Sequence, residues 1–211
     1  MVMKIAVIAA SGKSGKAFVT AALEAGHNVK AGIHHTNHLS NHPNLLTQTC
    51  DATSLEDLRK LLQGQDAVMS LIGHVHGSDA TVQSTAIAQI IRAMNELQMK
   101  RIVSLTGSGV RFPGDKISLL DRILNSSITF IDPKRIQDGI HHAELLQASS
   151  MDWTIIRVLK LTNGAGQPFS LTEYGPTKSF VSRKTVAKAA LRILEQQIFV
   201  RQAPMISKAD R

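Results

Sequence analysis

Cysteine is nearly missing from this 211-residue sequence. Cys50 stands alone, so no disulfide can form within the chain, and a reducing compartment, the cytoplasm, is the expected setting. Aromatic residues are scarce as well: a single Trp and a single Tyr leave no stacking platform for single-stranded nucleic acid, and Tyr174 is the only phenol open to acid-base work. No apolar run approaches the roughly 20 residues of a membrane span, so no membrane association is expected. The short apolar start lacks a small-residue cleavage pattern and reads as a core strand instead of a signal peptide. Linkers rich in Pro, Gly, Ser or charge are absent too, as are repeats, and a single domain over residues 1–211 is expected. Acidic residues are the minority, 16 against 24 Lys plus Arg, and the resulting +8 fits nucleic acid, an anionic cofactor or no specific partner. The cations are dispersed, however. Lys13 and Lys16 flank a glycine turn, whereas Arg183, Lys184, Lys188, Arg192 and Arg201 look like a solvated helix face and tail, so no specific nucleic-acid partner is expected.

What is present is most informative at the start, KIAVIAASGKSGKAFVTAALEAGHNVKAGI. A buried-looking strand, Lys4 to Ala9, runs through a glycine-bearing turn into a helix, and after Gly26 a second apolar strand follows from Asn28 to Ile33. A helix that opens on such a turn aims its first N–H groups, and the positive end of its dipole, at whatever lies above the turn; a phosphate is the natural occupant. Gly12 and Gly15 suit a division of labour in which one lets the backbone approach a pyrophosphate and the other lets the helix pack closely on the strand. Ala9 stands where a first glycine would be. The alternative is an ordinary tight turn.

Further apolar runs, Leu45 to Cys50, Ala67 to Ile72, Arg101 to Thr106 and Trp153 to Val158, alternate with stretches of helical spacing at Ser54 to Leu62, Asp79 to Leu97 and Pro133 to Ala148. This alternation predicts an α/β fold with a doubly wound parallel sheet of the Rossmann type, helices covering both faces. Such sheets bind ligands beyond the carboxyl ends of their strands, where strand order reverses. The positions so marked are Ser11, Gly12, Lys13, Ser14 and Gly15, His34 and His35, Asp51 and Ala52, the end of the Ala67 to Ile72 run (Leu71, Ile72) with Gly73 to His76, Thr106 to Gly109, and Leu159 to Gly166. Asn163 to Phe180, with three glycines and two prolines among polar residues, reads as a long loop at the sheet edge, either a lid or a surface excursion; it is the core of a loop-rich substrate edge at about residues 159–182.

The cofactor end can be argued further. An NAD site commonly ends its second strand in an acid that binds the ribose diol, whereas an NADP site presents cations to the 2′-phosphate. After Ile33 come His34 and His35 and no acid, which with Lys13 and Lys16 favours NADP over NAD. A metal site among His34, His35, His38 and His42 is disfavoured because the segment reads as loop and offers no cysteine or carboxylate. Tyr174 and Lys178 have the spacing of a Tyr-x-x-x-Lys pair, but Pro176 between them excludes the helix such a pair needs.

Taken together, AASGKSGK (residues 9–16), CDATSLEDL (50–58), DAVMSLIG (66–73), KRIVSLTGSGV (100–110), AELLQASSMDWTIIR (143–157) and FVSRKTVAKAAL (180–191) resemble the atypical short-chain dehydrogenase/reductase proteins of the NAD(P)H-binding, NmrA-like group, which includes flavin reductases and biliverdin reductase B. The family's first motif resembles GATGxTGR, so Ala9 and Lys16 depart from it, and it places an arginine at position 34. The resemblance implies that Asp51 reads the adenine amino group, with an N-terminal helix cap as the alternative. It implies too that Thr106 stands at one of the family's paired serines, with Gly107 at the other. The positions matching the usual Tyr/Lys pair are Ile136 and Ile140, so that dyad is absent. Thr106, Ser108, His141 and His142 are left as catalytic candidates, with His74 and His76 nearby; for the two adjacent helical histidines the plainer expectation is an exposed pair. The activity implied is an NAD(P)H-dependent reductase of a planar small-molecule acceptor, flavin, quinone or tetrapyrrole, acting as monomer or homodimer. The alternatives are a non-catalytic NAD(P)-sensing regulator and a nucleotide-sugar epimerase.

Overall fold

The structure is a computed structural model that describes residues 2–75 and 77–209, the side chains of Ile128 and Thr129 excepted. In chain order its elements are β1 (Lys4–Ile8), α1 (Lys13–Glu24), β2 (Asn28–Ile33), β3 (Leu45–Thr49), α2 (Leu55–Leu62), β4 (Ala67–Ser70), α3 (Val82–Glu96), β5 (Arg101–Gly107), α4 (Leu119–Ile131), α5 (Pro133–Ala148), β6 (Asp152–Val158), β7 (Leu161–Thr162), β8 (Phe169–Thr172), β9 (Val181–Ser182), α6 (Arg183–Gln196) and β10 (Met205–Lys208). The main sheet has the order β3-β2-β1-β4-β5-β6-β10-β8, parallel except for β8, which runs antiparallel to β10. β7 and β9 form a separate parallel pair.

Both faces of the sheet are covered, as expected for a doubly wound fold. In β1 the side chains alternate: Ile5 and Val7 join a cluster with Phe18 and Val19 of α1 and Leu191 and Leu194 of α6, while Ala6 and Ile8 join Leu58 of α2, Ile90 of α3 and Leu146 of α5 on the other face. Local signals set the helix starts. Ser54 caps α2 by accepting from the Asp57 N–H, Ser182 caps α6 by accepting from Thr185, and Asp132 caps α5 ahead of Pro133 in the first turn.

Two expectations need correction. The stretch read as one loop from Asn163 to Phe180 contains β8, which closes the sheet edge against β10. Its glycines and prolines hid a strand whose pairing partner lies over thirty residues on. α4 was not expected either, because Leu119, Leu120, Ile123, Phe130 and Ile131 of LLDRILNSSITFI are exposed and give no core-facing period.

Candidate functional site

Strand order reverses between β1 and β4, so the turn leaving β1 and the segment leaving β4 stand on either side of a crevice. Ala9 adopts φ 58°, the left-handed conformation that suits glycine best, and its carbonyl accepts from the Gly12 N–H at 3.2 Å. Gly12 is the N-cap of α1 and offers no side-chain cap, and no acid lies in the first turn. The leading N–H groups of α1 are therefore left for a ligand, beside the Lys13 and Lys16 side chains. A Cβ at Gly15 would sit 2.3 Å from the Ala9 carbonyl oxygen and 2.5 Å from that of Ala10, so only glycine lets α1 close on the turn. At exposed Gly12 the nearest atom would be 3.3 Å away. Close packing of α1 on the turn thus depends on Gly15. Ser11, just before Gly12, and Ser14, just before Gly15, are half-buried.

His34 and His35 emerge exposed at the end of β2, with ring centroids 3.9 Å apart. Asp51 and Ala52 follow β3, half-buried. The Asp51 Oδ1 accepts from both the N–H and the hydroxyl of Thr53 at 2.8 Å, and these bonds, with His34 adding to them, hold its carboxyl below the ordinary range. Asp51 does not cap α2, since Ser54 does. Across the crevice Leu71 and Ile72 are half-buried and Gly73 is exposed, with no atom within 4 Å of where its Cβ would stand.

At the β5 end the candidates separate. Thr106 is buried, and its hydroxyl lies 3.2 Å from where a Gly139 Cβ would be, so that glycine lets α5 rest on the end of β5. Ser108 is turned away from any reacting group: its hydroxyl donates to Asp121 Oδ1 at 2.7 Å and accepts from Asn125 at 3.1 Å. It does not replace the missing serine at Gly107. Asp121 is fully buried and also binds Arg111 at 2.5 Å. Ile136 and Ile140 occupy the α5 positions where a Tyr/Lys pair would stand, and Tyr174 is exposed, its phenol raised by the adjacent Glu173 carboxylate. His141 is exposed, 3.8 Å from Glu144. His142 is not its exposed twin. It is 2% exposed with Nδ1 unpartnered, and burial pushes its pKa down to about 4 against the opposing pull of Asp138. A neutral imidazole packed inside is a core residue, which removes His142 from the proton-transfer candidates. His76 lies outside the described residues.

Besides Asp121, sequence reasoning missed the buried charges of Asp138 and Arg157. Asp138 of α5 accepts from the Gln83 and Ser84 N–H groups at 2.8 and 2.9 Å, capping α3 from another helix, and lies 3.0 Å from His74 Nε2. Gln83 in turn donates to the Ile72 and Leu105 carbonyls, both at 3.0 Å, joining the exits of β4 and β5. Arg157 of β6 is completely buried, bonded to the Asp115 carboxylate and to the carbonyls of Val110, Glu173 and Ala203. No pattern announces Asp138. An arginine inside the apolar run WTIIRV was a signal, because a buried charge requires a partner. Beyond β5 a groove of about 540 Å³ opens between Gly109, Arg111, Ile117, Arg122, Asn125 and Phe130.

A family profile described as NAD(P)H-binding matches residues 9–197. No curated protein matches the sequence. Solved structures do share the fold. A short-chain dehydrogenase/reductase from Veillonella parvula in complex with NADP superposes with a TM-score of 0.81 at 17% identity, covering 99% of this chain and 95% of that one. A protein from Streptococcus pneumoniae, provisionally named an NADH-flavin reductase, gives 0.82 at 21% identity over 98% and 100% of the two chains. One from Bacteroides thetaiotaomicron, provisionally named an epimerase, gives 0.82 at 21% over 100% and 99%.

Proposed function

The chain belongs to the NAD(P)H-binding family, and from that premise we propose that it is an NAD(P)H-dependent reductase of a planar acceptor such as a flavin or a quinone. The observation that carries this reading is the uncapped start of α1 at the reversal of strand order, closed down by Gly15 and flanked by Lys13 and Lys16. The residues there fit a dinucleotide. The leading N–H groups of α1, those of Lys13, Ser14 and Gly15, would hold the pyrophosphate, with Ser11, Gly12 and the Lys16 side chain around it and Ala9 shaping the turn beneath; His34, His35, Asp51 and Ala52 would meet the adenosine end; Leu71, Ile72, Gly73 and Thr106 would border the nicotinamide end. NADP is favoured by the two histidines and supported by the NADP complex of a protein with the same fold. His34 is near enough to Asp51 to act on its charge, and replacing both histidines by Ala should reduce any NADPH preference over NADH.

The bound nicotinamide would supply a hydride. The protein's share is to bind, to orient and to keep the groove beyond β5 shaped for the acceptor. Ile136 and Ile140 leave α5 without a Tyr/Lys pair, which suits an acceptor whose own ring system takes up the electrons and disfavours a sugar epimerase. The same absence keeps a non-catalytic sensor as the rival. A reducing cytoplasm suits buried, unpaired Cys50, and residues 1–211 would act as one ligand-binding unit. Among the described residues no helix is long and apolar enough to cross a membrane.

The deciding experiment offers NADPH and NADH to the purified protein with FMN, a quinone and biliverdin in separate reactions, alongside calorimetry of dinucleotide binding. Oxidation with at least one acceptor is the expected result. Clear binding without any turnover would assign the sensor, and no binding would overturn the reading.

A further inference from the structure

α4 faces the wrong way for an ordinary surface helix. Its polar Asp121 and Asn125 turn inward to Ser108, whereas Leu119, Leu120, Ile123, Phe130 and Ile131 are 72, 41, 56, 91 and 80% exposed. At about 100° per residue these five side chains fall within roughly one third of the helix circumference, as two apolar clusters on one face, Leu119, Leu120 and Ile123 at the start and Phe130 and Ile131 at the end, with exposed Ser127 between them. Large apolar side chains exposed together on one helix face mark an interaction surface. Exposed cations bracket it, Lys116 and Arg122 toward the start and Lys134 and Arg135 just past the end. The acids of the same stretch do not offset them: Asp115 is paired with Arg157, Asp121 is buried against Arg111, and Asp132 accepts from the Arg135 N–H as a cap.

We infer that α4 and its flanking cations form a peripheral docking face for an anionic lipid surface. Apolar side chains on one face with Lys and Arg at the margins are what an interfacial helix needs, the first entering the headgroup boundary and the second meeting the negative surface. A second copy of the chain would press the same four cations against one another. The helix has 13 residues and lies on a bilayer instead of spanning it. This revises the expectation of no membrane association, which rested only on the lack of a spanning segment. Arg122, Asn125 and Phe130 also line the groove beyond β5, so docking would set the mouth of that groove against the bilayer.

The test uses the full-length, ligand-free protein and is independent of any reductase activity. It is sedimented with vesicles of phosphatidylglycerol and phosphatidylcholine in equal parts, and with vesicles of phosphatidylcholine alone. Binding to the first should exceed binding to the second by at least about tenfold and weaken in high salt. The pair Phe130→Ser, Ile131→Ser and the pair Lys134→Glu, Arg135→Glu should each lower binding by about tenfold or more with an unchanged melting temperature. No binding to the mixed vesicles, or equal binding to both, would overturn the inference. So would lipid-free self-association in the ultracentrifuge that Phe130→Ser abolishes, which would assign the apolar face to a second copy.

Discussion

The two sides of the cleft are held by different means. On the β1 side almost everything offered to a ligand is backbone: an uncapped helix start, Ala9 at φ 58°, and a glycine whose missing side chain brings α1 down on the turn. On the β5 side the shape depends on side chains reaching across the chain. Ser108, Arg111 and Asn125 converge on Asp121, and Arg157 gathers Asp115 and three carbonyls from separate segments. A change on the first side should act on one turn. A change on the second should travel through several segments at once, because a buried charge left without its partner disturbs everything it was bonded to.

The largest effect expected tests that difference directly. Asp115→Asn leaves the buried Arg157 guanidinium beside a neutral group and should cost about 3–5 kcal/mol of stability. Dinucleotide affinity of the folded fraction should be unchanged, since the change is remote from the β1 turn. Urea denaturation and calorimetry read the two quantities separately. A cost below about 1 kcal/mol would mean the pair behaves as a solvated surface bridge.

Next in size is a contrast within the backbone-built side. Gly15→Ala places a Cβ 2.3 Å from a carbonyl oxygen and should cost about 3 kcal/mol as α1 lifts from β1. Gly12→Val meets its nearest neighbour at 3.3 Å, so the fold should persist while dinucleotide binding is lost. If Gly12→Val binds as tightly as the parent, the pyrophosphate sits elsewhere.

The same contrast explains what could be read in advance. β1, α1 and β2 were legible because strand, turn and helix signals fall in consecutive residues, and α5 was legible from the helical spacing of Pro133 to Ala148. α4 was not, because periodicity locates a helix only when its apolar face meets the core. β8 was hidden by Gly and Pro around it. The site divides similarly: Gly12, Gly15, His34 and Asp51 lie where strand ends put them, whereas the bonds of Asp138 to Gln83 and of Arg157 to Asp115 join residues 55 and 42 apart. Nothing local encodes them.

His142 offers a third test, set in acid. Its folded pKa of about 4 lies below the ordinary 6.5, so between those values the unfolded chain takes up a proton that the native chain refuses. Stability is therefore complete above about pH 6.5 and falls as the pH drops toward 4, by on the order of 3 kcal/mol at the lower end. His142→Leu should flatten that limb in urea denaturation at several pH values. A parent and variant that weaken in parallel would place the acid sensitivity in other groups.

The smallest effects concern turnover, and they decide whether the β5 side does chemistry or only shapes the groove. Ser108 donates to a buried carboxylate, His141 is exposed beside Glu144, and neither is presented as a free proton donor. Ser108→Ala and His141→Ala should each lower kcat by about tenfold or less, since loss of a general acid typically costs about 10²–10⁴-fold. The Ser108 variant should also lose about 1 kcal/mol of stability, because Asp121 forfeits one of its donors while keeping Arg111 and Asn125. The measurement is kcat at saturating dinucleotide with FMN and, separately, with a carbonyl acceptor that must take a proton on oxygen. Similar small losses with both acceptors would leave the side chains in a positioning role. A collapse of several orders with the carbonyl acceptor alone, in either variant, would identify a proton donor on the side of the cleft where the hydrogen bonds otherwise indicate only support.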